Sequence, residues 1–291
     1  MNQIINTDVL AHGRLQTQLT GWQASLSLTF AQQQGRTVLA RREHQGPLVI
    51  QKALYPEGDV VCHGVIVHPP GGMAGGDHLS LQVSVADHGH VLLTTPGAGK
   101  WYKSAGRHAS QKLEFSLAGK ACLEWMPQEN IVFDGADVGF SGDVMLSEQA
   151  VFAGWEIVCF GRQASGEQWQ QGHLRQHFSI RRCGHLIWRE QANLFPASRQ
   201  MSSLALMRGQ AVNGSFVIAA GSVPKEILEA CRAVVIQTKA IYGVTALPQV
   251  FAARYLGHSA QEARHYFESL WQILRPWYGA REVTRPRIWA T

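Results

Sequence analysis

Charge is scarce in this chain. Asp, Glu, Lys and Arg together make up 16% of the 291 residues, against 45% hydrophobic residues. So little charge excludes a disordered, self-repelling chain and leaves ample apolar side chains for a core. The formal net charge is +5, but the 26 basic residues are scattered, with nothing denser than Arg41-Arg42 or Arg181-Arg182. No basic stripe or tail is present for a nucleic acid. A mild preference for acidic protein partners is what the charge leaves. No run approaches the roughly 18 apolar residues a membrane-spanning helix needs. The stretch "MNQIINTDVLAHGRL" lacks a basic segment followed by an apolar one, so it does not read as a signal peptide. Cysteine is also sparse. Cys62, Cys122, Cys159, Cys183 and Cys231 are odd in number and widely spaced, with no C-x-x-C, which predicts a reduced protein of the cytoplasm.

Several signatures of chemistry are missing as well. There is no G-x-S-x-G, no HExxH and no paired Cys/His spacing of a closed zinc site. The segment "TTPGAGKWYKS" ends a glycine-rich stretch on Gly99-Lys100 and invites comparison with a phosphate-binding loop. That loop needs glycine five residues before its Gly-Lys and a hydroxyl directly after it. Thr94 and Trp101 stand there instead, so nucleotide binding is not predicted.

What is present is alternation. Trp22, Ala24, Leu26, Leu28 and Phe30 share one face of a predicted strand, as do Leu79, Leu81, Val83 and Val85, then Leu113, Phe115 and Leu117. "VVCHGVIVH", "HVLLTT", "ACLEWM", "WEIVCF" and "HLIWRE" have strand length and composition. With no helical pattern between them, the first part, about residues 20–220, reads as an all-β sandwich, barrel or solenoid. No short fixed period marks a regular repeat. From about residue 221 to 291 the pattern becomes partly helical. One helix follows Pro224. A second is capped by Ser259 and Glu262, carries an apolar stripe of Ala263, Tyr266, Phe267, Leu270, Trp271 and Leu274, and ends at Pro276. "QVFAARYLG" is a strand between them, and the apolar "RPRIWAT" is expected to be docked. No linker divides the chain, so residues 1–291 are read as one domain.

Candidate functional groups are few. "HPPGGMAGGDHL" sets two Gly pairs beside His68 and Asp77; it reads either as a tight strand corner or as a loop presenting both side chains to an ion or partner. Cys62-His63, Asp77-His78 and His88-Gly-His90 are local pairs of weak metal ligands, with His88 and His90 on one face if extended. Each pair also reads as isolated surface histidine. Glu124 and Glu156 lie inside apolar strand runs, where a carboxylate either pairs with a cation or lines water. A β-rich hydrolase using Asp77, His68 and Glu156 is a rival reading. A β-helical adhesin is a weaker one, lacking leader and repeats.

The ordered set "HPPGGMAGGD", "TTPGAGKWYKS", "LEWMPQENIVFDGA", "GRQASGE" and "PRIWAT" resembles the UreD family of urease accessory proteins over roughly residues 22–291. The resemblance implies a two-layered, β-solenoid-like array of many strands with two C-terminal helices. It implies a non-enzymatic cytoplasmic scaffold that joins UreF and the GTPase UreG and delivers nickel to apo-urease. Nickel would be in transit, no cofactor tightly held, and GTP bound by UreG only, which accounts for the degenerate Gly-Lys loop. The family's proposed interior tunnel would include Asp77 and Glu156; Glu124 and Glu167 are added from their strand and motif contexts. Glu156 stands where family members often carry Asp, one methylene shorter. His68, Cys62, His63, His88 and His90 remain weak-ligand candidates.

Overall fold

The alternation becomes strands with one face inside. In the computed structural model, which describes residues 21–290, β1 (Gln23–Gln33) buries Ala24, Leu26, Leu28 and Phe30. Trp22 does not join that face: the strand begins after it, and the residue is 56% exposed. The stretch read for a leader lies outside the described residues. Along the chain follow β2 (Arg36–Gln45), β3 (Val49–Ile50), β4 (Val61–Val67), β5 (His78–Val85), β6 (His90–Thr94), β7 (Gly99–Trp101), β8 (Ala109–Leu117) and β9 (Cys122–Trp125). Then come β10 (Asn130–Val132), β11 (Ala136–Leu146), β12 (Val151–Phe160), β13 (Gly172–Arg182) and β14 (His185–Leu194). The C-terminal part holds α1 (Arg199–Ser202), β15 (Val212–Ala219), α2 (Lys225–Arg232), β16 (Ile241–Ala246), β17 (Phe251–Gly257) and α3 (Ala260–Gly279).

From β4 to β13 the chain passes back and forth between two sheets. The seven-stranded sheet runs β14-β13-β11-β8-β5-β1-β2, and the larger sheet runs β16-β17-β15-β12-β9-β6-β4-β3, with β10 and β7 attached beside β12. Within the first, β5, β8, β11 and β13 are parallel; within the second, β4, β6, β9 and β12 are parallel. Each circuit therefore adds a strand to each layer, the solenoid-like stacking the resemblance implied. The register aligns like side chains. Leu28, Val83, Phe115, Val144 and Ile180 form one row across five strands, each at most 1% exposed. The last three steps of that row span 32, 29 and 36 residues (83 to 115, 115 to 144, 144 to 180), so the circuits leave no fixed sequence period.

Two cores result. One fills the space between the sheets. The other lies on the outer face of the larger sheet, where Trp155, Phe216 and Tyr255 meet Tyr266, Phe267 and Trp271 of α3. The two C-terminal helices of the sequence reading are α2 and α3; α1 is a single turn ahead of them. "VFAARYLG" is a largely buried strand with Arg254 pointing out, so it offers little aromatic surface to a partner. Among the described residues no helix is long and apolar enough to cross a membrane.

Two details of α3 differ from expectation. The helix runs past Pro276 to Gly279. A proline this late removes one bond, the one its own N–H would give to the Gln272 carbonyl. The turn beyond is held because Trp277 and Tyr278 pack on the outer core and Tyr278 gives its O–H to Glu124 at 2.8 Å. The capping box is only half formed. Ser259 Oγ accepts from the Glu262 N–H at 3.2 Å, but the Glu262 carboxylate takes the Tyr255 hydroxyl at 2.9 Å and that of Thr238 instead of reaching back. Ser259→Ala should then cost about 1 kcal/mol in chemical denaturation. The chain end docks as expected through Ala290: Trp289 is 8% exposed, gives its Nε1–H to Thr94 Oγ1 at 2.8 Å, and lies 5.6 Å from the Trp155 ring.

Candidate functional site

Glu124 and Glu156 sit on neighbouring strands, β9 and β12, but face opposite ways. Ala153 is the register partner of Glu124, so Glu156, three residues on, points to the other side of the sheet. Glu124 faces α3. It is completely buried and accepts from Arg275 Nη2 at 2.9 Å, His90 Nε2 at 2.7 Å, Trp271 Nε1 at 2.8 Å and the Tyr278 hydroxyl. Arg275 also grips Glu57 at 2.7 and 2.9 Å, and Glu57 in turn holds His63 at 2.5 Å. Burial pushes the Glu124 carboxyl up, but His90 and Arg275 outweigh it and hold it at about 2. His90 is raised to about 10 against the effect of burial, by Cys122 beside it and by Glu124. This cluster is cation-matched and ties α3 to the sheet. It does not line the interior cavities described next.

Glu156 faces the seven-stranded sheet and lines two adjoining cavities between the layers. The first, of about 220 Å³, reaches from Glu156 to a mouth formed by His68, Gly71 to Met73 and Thr95 to Lys100. The second, of about 40 Å³, adds Gln176, Glu190 and Ser215. Gln111, Leu113, Trp125 and Glu156 wall both. Gln176 and Glu190 also line an open groove of about 730 Å³ between β14, the 204–208 loop and β16–β17. Polar groups thus follow one another from the Gly-Lys loop to the groove. Among the described residues the Glu156 side chain meets one hydrogen-bond donor, the Gln176 amide. Burial, aided by the nearby Glu190 charge and opposed by Gln176, raises its carboxyl to about 7. Glu190 is the contrast: Arg254 at 2.8 and 3.0 Å, Trp188 Nε1 at 2.9 Å and Ser215 Oγ at 2.9 Å all hold it.

The mouth is built by the two glycine-rich loops. Tyr102 covers Gly72 so closely that a Cβ there would lie 2.5 Å from the ring, and a Cβ on Gly75 would lie 2.2 Å from the Ser104 carbonyl. Asp77 locks this corner. It is 2% exposed, and its two oxygens accept from the Trp22 N–H at 2.8 Å and the Ala74 N–H at 2.7 Å. His68 lines the larger cavity, and both its ring nitrogens are buried with no hydrogen-bond partner among the described residues. Burial lowers its pKa, opposed by the Asp77 charge.

The remaining candidates are dispersed. Glu167 pairs with Arg162 at 2.8 Å and caps the Asp134 and Arg162 amides, closing a surface loop. Cys62 faces the inter-sheet core, where burial raises its thiol pKa, while His63 on the opposite face meets Glu57. His88 and His90 do not share a strand face. His88 occupies a turn with φ 61° and a 60% exposed side chain, and β6 begins only at His90, which is buried. Among the described residues no three His, Cys, Asp or Glu side chains are grouped to hold a metal ion. Sequence reasoning passed over Gln176, Glu190 and Arg275. Gln176 had a signal: it interrupts the inward row Leu174, Phe178, Ile180 of β13. So did Arg275, directly behind the apolar stripe of α3.

The family model described as UreD urease accessory protein matches residues 23–290. The chain belongs to the UreD family. It is 58% identical to the urease accessory protein UreD of Methylobacillus flagellatus, over 93% of this chain and 95% of that relative. It is 44% identical to those of Dechloromonas aromatica and Azoarcus, over the same shares of each chain. Family membership gives the protein a role in urease maturation. The cavities and the corner around Asp77 are thus features of an accessory protein.

Proposed function

We propose that the protein is a non-enzymatic scaffold and nickel conduit. In this reading it acts in the cytoplasm with UreF and UreG and passes nickel through the space between its sheets to apo-urease, while UreG supplies the GTP chemistry. The observation that carries the reading is Glu156: a carboxylate with no cation partner among the described residues, on the common wall of two interior cavities. A transfer path needs oxygen or imidazole ligands few enough to release the ion, since a closed thiolate site would trap it. Glu156 and His68 are of that kind: Glu156 lines both cavities and His68 the larger one. Asp77, with both oxygens occupied, shapes the mouth. The hydrolase reading gains nothing from this placement, because Asp77 is committed to backbone amides.

Glu156→Gln keeps size and the place between the layers. It should leave the yield of the complex with UreF and UreG unchanged, because no ion pair among the described residues is broken. The nickel content and activity of urease matured in cells at limiting nickel should fall about tenfold, the effect of losing one charged ligand worth roughly 1–3 kcal/mol. Full maturation by this variant at normal complex yield would eliminate the conduit.

A further inference from the structure

Two side chains, Gln176 and Glu190, line both the smaller interior cavity and the groove. Gln176, half-buried on β13, lines both the smaller cavity and the groove and reaches across the inter-sheet space to Glu156. Glu190 lines the same boundary but is fixed by Arg254, Ser215 and Trp188 through four hydrogen bonds. Gln176 has one side-chain hydrogen bond among the described residues. A side chain held once moves more cheaply than a side chain held four times. The division of labour is therefore set by the contacts: Glu190 is frame and Gln176 is door.

We propose that Gln176 is the gate between the interior cavities and the groove, its carboxamide turning away from Glu156 to open the passage. The chemistry of the amide suits this. With no cation present, its NH₂ group donates to the Glu156 carboxylate. A divalent cation arriving at Glu156 repels that donor, and the same amide can offer its carbonyl oxygen by rotating. Gln176 is thus a positioning residue. It restrains Glu156 in the resting protein and clears the way when cargo arrives. For its cargo the inference rests on the conduit reading. The gate itself is a property of this chain and can be tested without metal.

The test uses thiol access. Val217 is 3% exposed and lines the smaller cavity. In full-length protein carrying Cys183→Ser, which removes the exposed native thiol, Val217→Cys reports reagent entry, the other cysteines being buried. A small methanethiosulfonate should label this cysteine about tenfold faster when Gln176→Ala is added, because the door and its bond are gone. Gln176→Leu fills the same space without the bond and should not speed labelling. Equal rates in the Ala and Leu variants would overturn the gate. Should Gln176→Ala fail to fold, Gln176→Asn, one methylene shorter, carries the same comparison with Leu. A second arm measures urease nickel in cells. Gln176→Leu should lower it and Gln176→Ala should not. Thiol access behaving as expected, with urease nickel normal in the Leu variant, keeps the gate and overturns the conduit.

Discussion

Arg275→Met should lower the unfolding free energy by about 3–5 kcal/mol, the cost of leaving buried charge without its partner. Arg275 is 0% exposed and is shared by Glu57 and Glu124, which are themselves 4% and 0% exposed in their side chains. Methionine fills much of the space but leaves two carboxylates facing each other's field, with His90 as the remaining cation beside Glu124. The measurement is chemical denaturation near pH 6. A loss under about 1 kcal/mol would show that the cluster relaxes or hydrates, contrary to its packing. The wild-type cluster also sets a pH window. Glu124 titrates near 2 in the folded protein against an ordinary 4.5, so its contribution is present above 4.5 and is lost as pH falls towards 2. His90 titrates near 10 against an ordinary 6.5, so its contribution is complete below 6.5 and is lost as pH rises towards 10. Stability from this pair should therefore be greatest between those two ordinary values. Glu124→Gln should flatten both limbs.

Asp77→Ala should cost roughly 3–6 kcal/mol, from two bonds between an ionised carboxylate and backbone amides at about 1.5–3 kcal/mol each. Those bonds join the segment before β1 to the glycine-rich corner. Their loss frees Trp22 and Ala74 and loosens the loop on which Tyr102 rests. The readouts are soluble yield and denaturation of the isolated chain, then urease nickel per folded molecule. Nickel delivery should fall with the folded fraction and no further. A variant that stays stable while urease nickel collapses would assign Asp77 to the cargo instead. Glu156→Gln is the natural comparison, with unchanged yield and impaired delivery expected.

Much of this fold is legible in the alternation of residues 23–194 and in the stripe of α3, because burial of one face dictates period 2 in strands and 3.6 in helices. The pairing of layers is not legible. Val83, Phe115, Val144 and Ile180 align through circuits of unequal length, and nothing local in the sequence encodes that register. The same limit applies to the carboxylates. Glu124 and Glu156 are both acids in apolar strands, and the sequence poses one question for both: cation or water. Which answer applies depends on the face. Glu124 faces Arg275, 151 residues away, whereas Glu156 faces Gln176 from the other sheet. The glycine-rich corner was readable as a corner; that Asp77 spends both oxygens within it depends on Trp22 lying alongside, a contact across 55 residues. His88 and His90 show the opposite failure, since a turn at His88 breaks an alternation that looks continuous.

The clamp between α3 and Glu124 also sets an order of events during synthesis. Strands β4, β6, β9 and β12 leave the ribosome well before Arg275, which follows Glu124 by 151 residues. At roughly 5–20 residues per second that interval is about 8–30 s. Once Trp155 has been made, and until α3 follows, Leu92, Met126 and Trp155 form an uncovered apolar face, and His90 and Glu124 have no Arg275 beside them. A nascent chain that has not yet reached α3 is therefore a sticky half-sandwich without its lid. Synthesis of α3, rather than folding of the first strands, is the step that covers this face.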